Sequence, residues 1–148
     1  MFVNIYQHTL DSKHRIMLPA KYLPALAAGL IVTKGVGAGK SLWIFSKDEF
    51  DTRTKKILAL PIMNQEVQQL RRFWFANAVE VVPDSQGRIV LDENLRQHIG
   101  VNIGDKLALV GSYDYIEVFS ETEWKKQQIE LNALMEKDGV AVFTKYGV

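Results

Sequence analysis

Residues 35–41 read Gly-Val-Gly-Ala-Gly-Lys-Ser, a mixture of glycines and a Lys-Ser pair that could cradle phosphate. A phosphate loop of the Walker A kind needs Gly, four residues, then Gly-Lys-Ser/Thr, between a strand and a helix whose free N–H groups face the anion. Here the first glycine would fall at Lys34, and the residues that follow, Leu42-Trp43-Ile44-Phe45, read as a strand. The stretch therefore predicts a hairpin loop that binds no nucleotide. The three histidines, His8, His14 and His98, share no i,i+4 spacing on one helix, and the chain has no cysteine to join them in a metal set. His8 and His98 are expected at the surface or as satisfied core residues. No Ser or Thr stands in a nucleophile-elbow context. Catalysis, a cofactor, a metal and a small-molecule substrate are all absent from this reading.

A different chemistry is legible in two short stretches. Asp11 and Arg15 are four residues apart, and so are Asp84 and Arg88. An Asp at the start of a tight turn accepts from backbone N–H groups ahead of it, and an Arg at this spacing either pairs with it or projects outward. In the first stretch Lys13, His14 and Arg15, with Lys21 nearby, offer cations on a hairpin tip; in the second only Gln86 and Arg88 do. Cations of this kind displace counterions from a polyanion, and Arg can read base edges. Net charge is only +1, but residues 1–40 carry five Lys/Arg against one acidic residue, while 80–123 carry three against nine. The imbalance suggests that one part faces a polyanion, although scattered surface charge would give the same count.

These residues must be positioned by a doubled framework. Asp11-Ser12-Lys13-His14-Arg15-Ile16-Met17-Leu18 aligns with Asp84-Ser85-Gln86-Gly87-Arg88-Ile89-Val90-Leu91, and Leu42–Phe50 aligns with Ile116–Trp124. Each copy predicts a strand (Phe2–Leu10; Ala78–Val82), a turn with a positive φ at His14 or Gly87, and a short strand. A short helix follows (Ala20–Ala28; Glu93–His98, stopped by Gly100), then two strands, then a helix started by Ser46-x-x-Glu49 or Ser120-x-x-Glu123. Pro61 ends the first of these helices. A further helix capped by Asn64 carries Val67, Leu70, Phe73 and Trp74 as a core stripe. The last helix is expected to stop at Gly139, with the tail Val140–Val148 docking as a strand or fraying. No apolar run reaches the length of a membrane span and the N-terminus lacks a signal-peptide pattern, so a cytoplasmic protein is expected.

The paired Asp-x-x-x-Arg-Ile-x-Leu turns, Leu18-Pro19-Ala20-Lys21 and Arg72-Phe73-Trp74-Phe75-Ala76 resemble the MraZ family. The resemblance implies an α+β, β-rich fold: a tandem-repeat swapped-hairpin barrel, AbrB-like and double-split, with flanking helices. It divides the chain into a first AbrB-like DNA-binding repeat (5–51), a helical connector (52–76), a second repeat (77–124) and a C-terminal helix and tail (125–148). It implies a nucleoid-associated transcriptional regulator that binds double-stranded DNA at promoter direct repeats of cell-division and cell-wall genes as a ring homo-oligomer. His14 stands where the family has glycine, and the Gly35–Ser41 loop is longer than expected. On this reading Lys13, His14, Arg15, Lys21 and Arg88 contact DNA, chiefly through the first repeat, while Asp11, Asp84 and Gly87 hold the turns. Arg15 is the candidate for reading guanine, and Lys13 and Lys21 for holding phosphates. For Arg88, pairing with Asp84 competes with a DNA role. An oligomeric scaffold without DNA specificity remains the alternative.

Overall fold

In the computed structural model, which describes residues 1–148, eight strands and five helices follow one another twice in nearly the same order. They are β1 (Ile5–Thr9), β2 (Arg15–Met17), α1 (Leu23–Leu26), β3 (Leu30–Lys34), β4 (Leu42–Ser46), α2 (Lys47–Leu58) and α3 (Gln65–Ala76), then β5 (Val79–Val81), β6 (Arg88–Val90), α4 (Glu93–Ile99), β7 (Lys106–Gly111), β8 (Ile116–Ser120) and α5 (Glu121–Lys145). The strand order is β1-β7-β8-β4-β3-β5 in one six-stranded antiparallel sheet, with β2 and β6 forming a separate antiparallel ribbon. The repeats thus exchange strands. β1 of the first pairs with β7 of the second, β5 of the second pairs with β3 of the first, and the ribbon takes one strand from each. The expected closed barrel is not formed: β1 and β5 end the sheet at opposite edges, and the ribbon lies against it without joining them.

Alternation along the central strands explains the layering. Leu30, Val32, Leu42, Ile44, Leu107, Leu109, Ile116 and Val118 point to one side, where they share a core with Ile16 and Ile89 of the ribbon and with Leu26, Leu95 and Ile99 of α1 and α4. The intervening positions face the other way. Phe45 meets Trp74 of α3 at 5.6 Å between ring centroids, and Phe119 meets Trp124 of α5 at 5.5 Å. A sheet buried on both faces needs apolar residues at successive positions, which the run Leu-Trp-Ile-Phe of β4 supplies.

The helix starts follow their caps. Ser46 Oγ accepts from the Glu49 N–H at 3.2 Å, Ser120 Oγ from the Glu123 N–H at 3.1 Å, and Asn64 Oδ1 from the N–H groups of Glu66 and Val67. Three expectations need correction. The first short helix is a single turn, Leu23–Leu26, because Pro24 sits at its start and the preceding residues bond as turns. The α3 stripe is only partly core: Trp74 is buried, but Leu70 faces solvent. Gly139 does not stop the last helix, which runs to Lys145; its φ is not positive, so the backbone continues through it and Val140–Lys145 stay helical rather than forming a strand. The Gly35–Ser41 loop is a hairpin, closed by the Gly35 N–H donating to the Ser41 carbonyl at 2.9 Å and followed by β4, so no helix N-terminus meets it. No helix is long and apolar enough to cross a membrane.

Candidate nucleic-acid interface

The two Asp–Arg turns share one construction. Asp11 Oδ1 accepts from the backbone N–H groups of Lys13 and Arg15, both at 2.9 Å, and Oδ2 accepts from Arg15 Nε at 2.8 Å. Asp84 makes the same three bonds to Gln86, Arg88 and Arg88 Nε, at 2.9, 2.9 and 2.8 Å. His14 and Gly87 occupy the left-handed region, with φ of +57° and +78°. Histidine is one of the few residues enriched there, whereas glycine enters freely. At Gly87 a Cβ would lie 2.8 Å from Leu23 Cδ1, the end of a flexible side chain that would have to shift.

The acid groups respond to this bonding. Partial desolvation pushes the Asp11 carboxyl up, but the Arg15 N–H, its guanidinium and the Lys13 N–H together hold it below the ordinary carboxylate value. Asp84 is likewise held down, first by the Arg88 N–H, against partial desolvation, and further by the Arg88 guanidinium and the Gln86 N–H. Both turns are therefore locked by an ionised carboxylate at neutral pH.

The ribbon brings the turns to its two ends. Arg15 pairs with Val90, Ile16 with Ile89 and Met17 with Arg88. The His14 carbonyl accepts from the Leu91 N–H at 2.9 Å, and the Gly87 carbonyl from the Leu18 N–H at 2.8 Å. With Ile16 and Ile89 pointing into the core, the outer face carries Arg15, Met17, Arg88 and Val90. Each guanidinium spends only Nε on its aspartate, which leaves its Nη groups free, and the two side chains are 22% and 24% exposed. Lys13 and Lys21 are exposed and have no ion-pair partner.

Strand exchange redistributes the charge that the sequence segregates. Lys21 follows Leu18, whose N–H donates to the Gly87 carbonyl, so a first-repeat lysine follows the strand bonded to the second turn. Asp92 and Glu93, from the second repeat, follow Leu91, which is bonded to the first turn. Lys13, His14 and Arg15 thus lie at one end of the ribbon and Arg88 at the other, with Lys21 three residues beyond the Leu18 bond to Gly87. Met17 and Val90 were missed by sequence reasoning; their alternation with Ile16 and Ile89 was the available signal.

The remaining histidines lie apart. His8 and His98 are half-buried, burial lowers the pKa of each, and the Nε2 atom of each has no hydrogen-bond partner within the protein. No three His, Asp or Glu residues converge as a metal set.

Comparison with known proteins adds to this geometry. A family model described as "MraZ protein, putative antitoxin-like" matches residues 1–73 and again 74–142, dividing the chain at the repeat. The chain is 33% identical over 137 residues to the transcriptional regulator MraZ of Caldicellulosiruptor bescii, covering 93% of each chain. It is 35% identical over 132 residues to that of Alkaliphilus oremlandii (89% of this chain, 90% of the relative) and 31% identical over 140 residues to that of Clostridium acetobutylicum (93% and 96%).

Proposed function

The chain belongs to the MraZ family, and we propose that it is a transcriptional regulator that binds double-stranded DNA through the outer face of the β2–β6 ribbon. The observation that carries the proposal is the pair of guanidiniums held at opposite ends of one ribbon, with Nη groups free. A two-stranded ribbon fits the major groove, which is roughly 12 Å wide, and Arg donates in bidentate fashion to guanine O6 and N7. Arg15 leads this readout and Arg88 supports it from the other end. Met17 and Val90 offer apolar surface to thymine methyl groups, while Lys13, His14 and Lys21 hold phosphates. Asp11, Asp84 and Gly87 fix the turns that present them.

The finer parts of the proposal rest on the family. The segments 5–51 and 77–124 act as the two DNA-facing repeats, joined by 52–76 and followed by 125–148, and the exchanged strands support a swapped-hairpin reading of the AbrB-like kind. The regulator works in the cytoplasm at the nucleoid, on direct repeats upstream of cell-division and cell-wall genes. A near-neutral chain binds DNA weakly alone, and a ring of copies compensates because adjacent ribbons engage adjacent repeats at high effective concentration. No catalysis, cofactor or small-molecule substrate enters this function.

Fluorescence anisotropy with a labelled promoter fragment and a scrambled one, each at several salt concentrations, tests the proposal. If about three copies each neutralise two or three phosphates, log affinity against log salt should slope by roughly −5 to −8. Lys13→Ala should flatten the slope by about one unit per engaged copy and leave the sequence preference intact. Equal, weak binding to both fragments would instead favour an oligomeric scaffold.

A further inference from the structure

The Gly35–Ser41 hairpin has no part in the function above, and its base carries two lysines. Lys34 ends β3 opposite Leu42, and Lys40 precedes Ser41, whose carbonyl accepts from the Gly35 N–H at 2.9 Å. Neither lysine makes an ion pair, although the chain holds 17 acidic residues. The matching hairpin of the second repeat, Gly111-Ser112-Tyr113-Asp114-Tyr115, has no lysine. The doubled framework therefore does not require the pair.

His98, in the last turn of α4, gauges where these charges lie. Its pKa is lowered by burial and then by the fields of Lys34 and Lys40, opposed by the Ser41 backbone. Both ammonium groups thus act on one imidazole, whose buried Nε2 has no hydrogen-bond partner within the protein. Like charges gathered without paired counter-charges make a local positive field. The glycines shape the loop between the lysines. At Gly35 a Cβ would lie 2.8 Å from Trp43 Nε1, and at Gly39 it would meet the Glu123 and Gln127 side chains of α5. Gly37 has a φ of +99° and open space around it. Glu123 brings a carboxylate to the loop, but its Oε1 accepts from Gln127 Nε2 at 2.9 Å and it bridges to neither lysine.

The position of α4 relates this pair to the ribbon. Leu95 and Ile99 of α4 share the core with Ile16 and Ile89, so α4 lies on the ribbon's side of the sheet. Asp92 caps α4 directly after Leu91, whose N–H donates to the His14 carbonyl. From that cap to His98 the helix rises roughly 9 Å at 1.5 Å per residue. A ribbon seated in a major groove roughly 12 Å wide has a phosphate strand along each wall. We infer that Lys34 and Lys40 together hold one DNA phosphate beside the groove that the ribbon enters. The inference rests on the DNA-binding reading above and widens its footprint by a contact that positions the duplex without reading sequence. Asp92 and Glu93, at the start of α4, separate this contact from the first turn.

Fluorescence anisotropy of the whole chain with the labelled promoter fragment, across salt concentrations, tests this. Lys34→Gln/Lys40→Gln should flatten the slope of log affinity against log salt by about 0.9 per engaged copy and keep the preference over the scrambled fragment. Lys40→Gln alone, at an exposed site, should give part of that change, and it carries the test if circular dichroism shows the double variant unfolded. Lys55→Gln/Lys56→Gln removes the same charge from α2, whose Phe50 packs on Phe45 at the opposite face of the sheet, and should leave the slope unchanged. An unchanged slope in the folded hairpin variants, or equal flattening by the α2 variant, overturns the inference. If Lys13→Ala still flattens the slope in that case, the ribbon reading stands and only the lysine pair falls. Equal, weak binding of the wild type to both fragments overturns both.

Discussion

The turn at Asp11 and the turn at Asp84 have the same backbone and different surroundings. Their three aspartate bonds agree within 0.1 Å, and each turn closes on the other repeat's strand through one carbonyl. Yet Lys13 in one is Gln86 in the other, and His14 is Gly87. Lys21 follows the strand bonded to the second turn, while Asp92 and Glu93 follow the strand bonded to the first. The difference teaches that the fold enforces the turn and leaves its tip free to vary. It also teaches that charge counted along the chain is a poor map of charge in space once strands are exchanged.

The largest effect that could break this comparison is on DNA affinity. Arg15→Ala should cost about 1–3 kcal/mol per lost base contact, some 5- to 150-fold, and relax sequence preference. Arg88→Ala should cost less affinity while lowering Tm by the same few degrees, because its pairing with aspartate is the same. Anisotropy and melting curves on both variants read the two quantities; normal binding by Arg15→Ala with lost binding by folded Arg88→Ala would reverse the assignment.

A middle-sized effect concerns acid. Both aspartates are held below their ordinary pKa, so the stability they contribute is present above the ordinary carboxylate range and is lost as pH falls through the lowered values. Asp11→Asn and Asp84→Asn should each flatten the fall of Tm between about pH 5 and pH 2, and to equal extents. Thermal unfolding followed across that range checks it, and a flattening seen in only one variant would show that the turns are not energetically equivalent. The half-buried His8 and His98, whose pKa values burial lowers, add a separate decline that begins as pH falls below about 6.5.

The smallest effect sits at the tip. His14 holds a positive φ that glycine adopts without strain, so His14→Gly should stabilise the protein by about 0.5–1 kcal/mol, read as a rise in urea midpoint. If the same variant weakens DNA binding, the strained histidine is kept for its side chain and not for the turn.

Much of this framework was legible in the residues because its causes are local. Ser46, Asn64 and Ser120 announce their helices through caps, and the Asp–Arg spacing announces both turns, including the left-handed φ at positions 14 and 87. Partner choice was not legible. The alternation in Ile5–Thr9 says that one face is buried, but nothing in it says that β7 and not a neighbouring strand will cover the edge. That is why an open sheet replaces the expected barrel, and why Lys21 follows a strand bonded to the second turn. Gly139 misled for the opposite reason: a glycine is permitted in a helix at a cost of about 1 kcal/mol, and a local rule read it as a stop.

The exchange of strands also sets the order in which this molecule can be made. When the first half emerges from synthesis, the hairpin of β3 and β4 can form at once, but β1 and β2 have no partners until residues 106–111 and 88–90 exist. Ile16, buried beneath the ribbon, waits with them. Such long loop closures slow folding and keep unpaired strands exposed meanwhile. A first half made alone has a single way to satisfy those strands, which is to lend them to another copy of itself, and the two-repeat chain is the covalent form of that bargain.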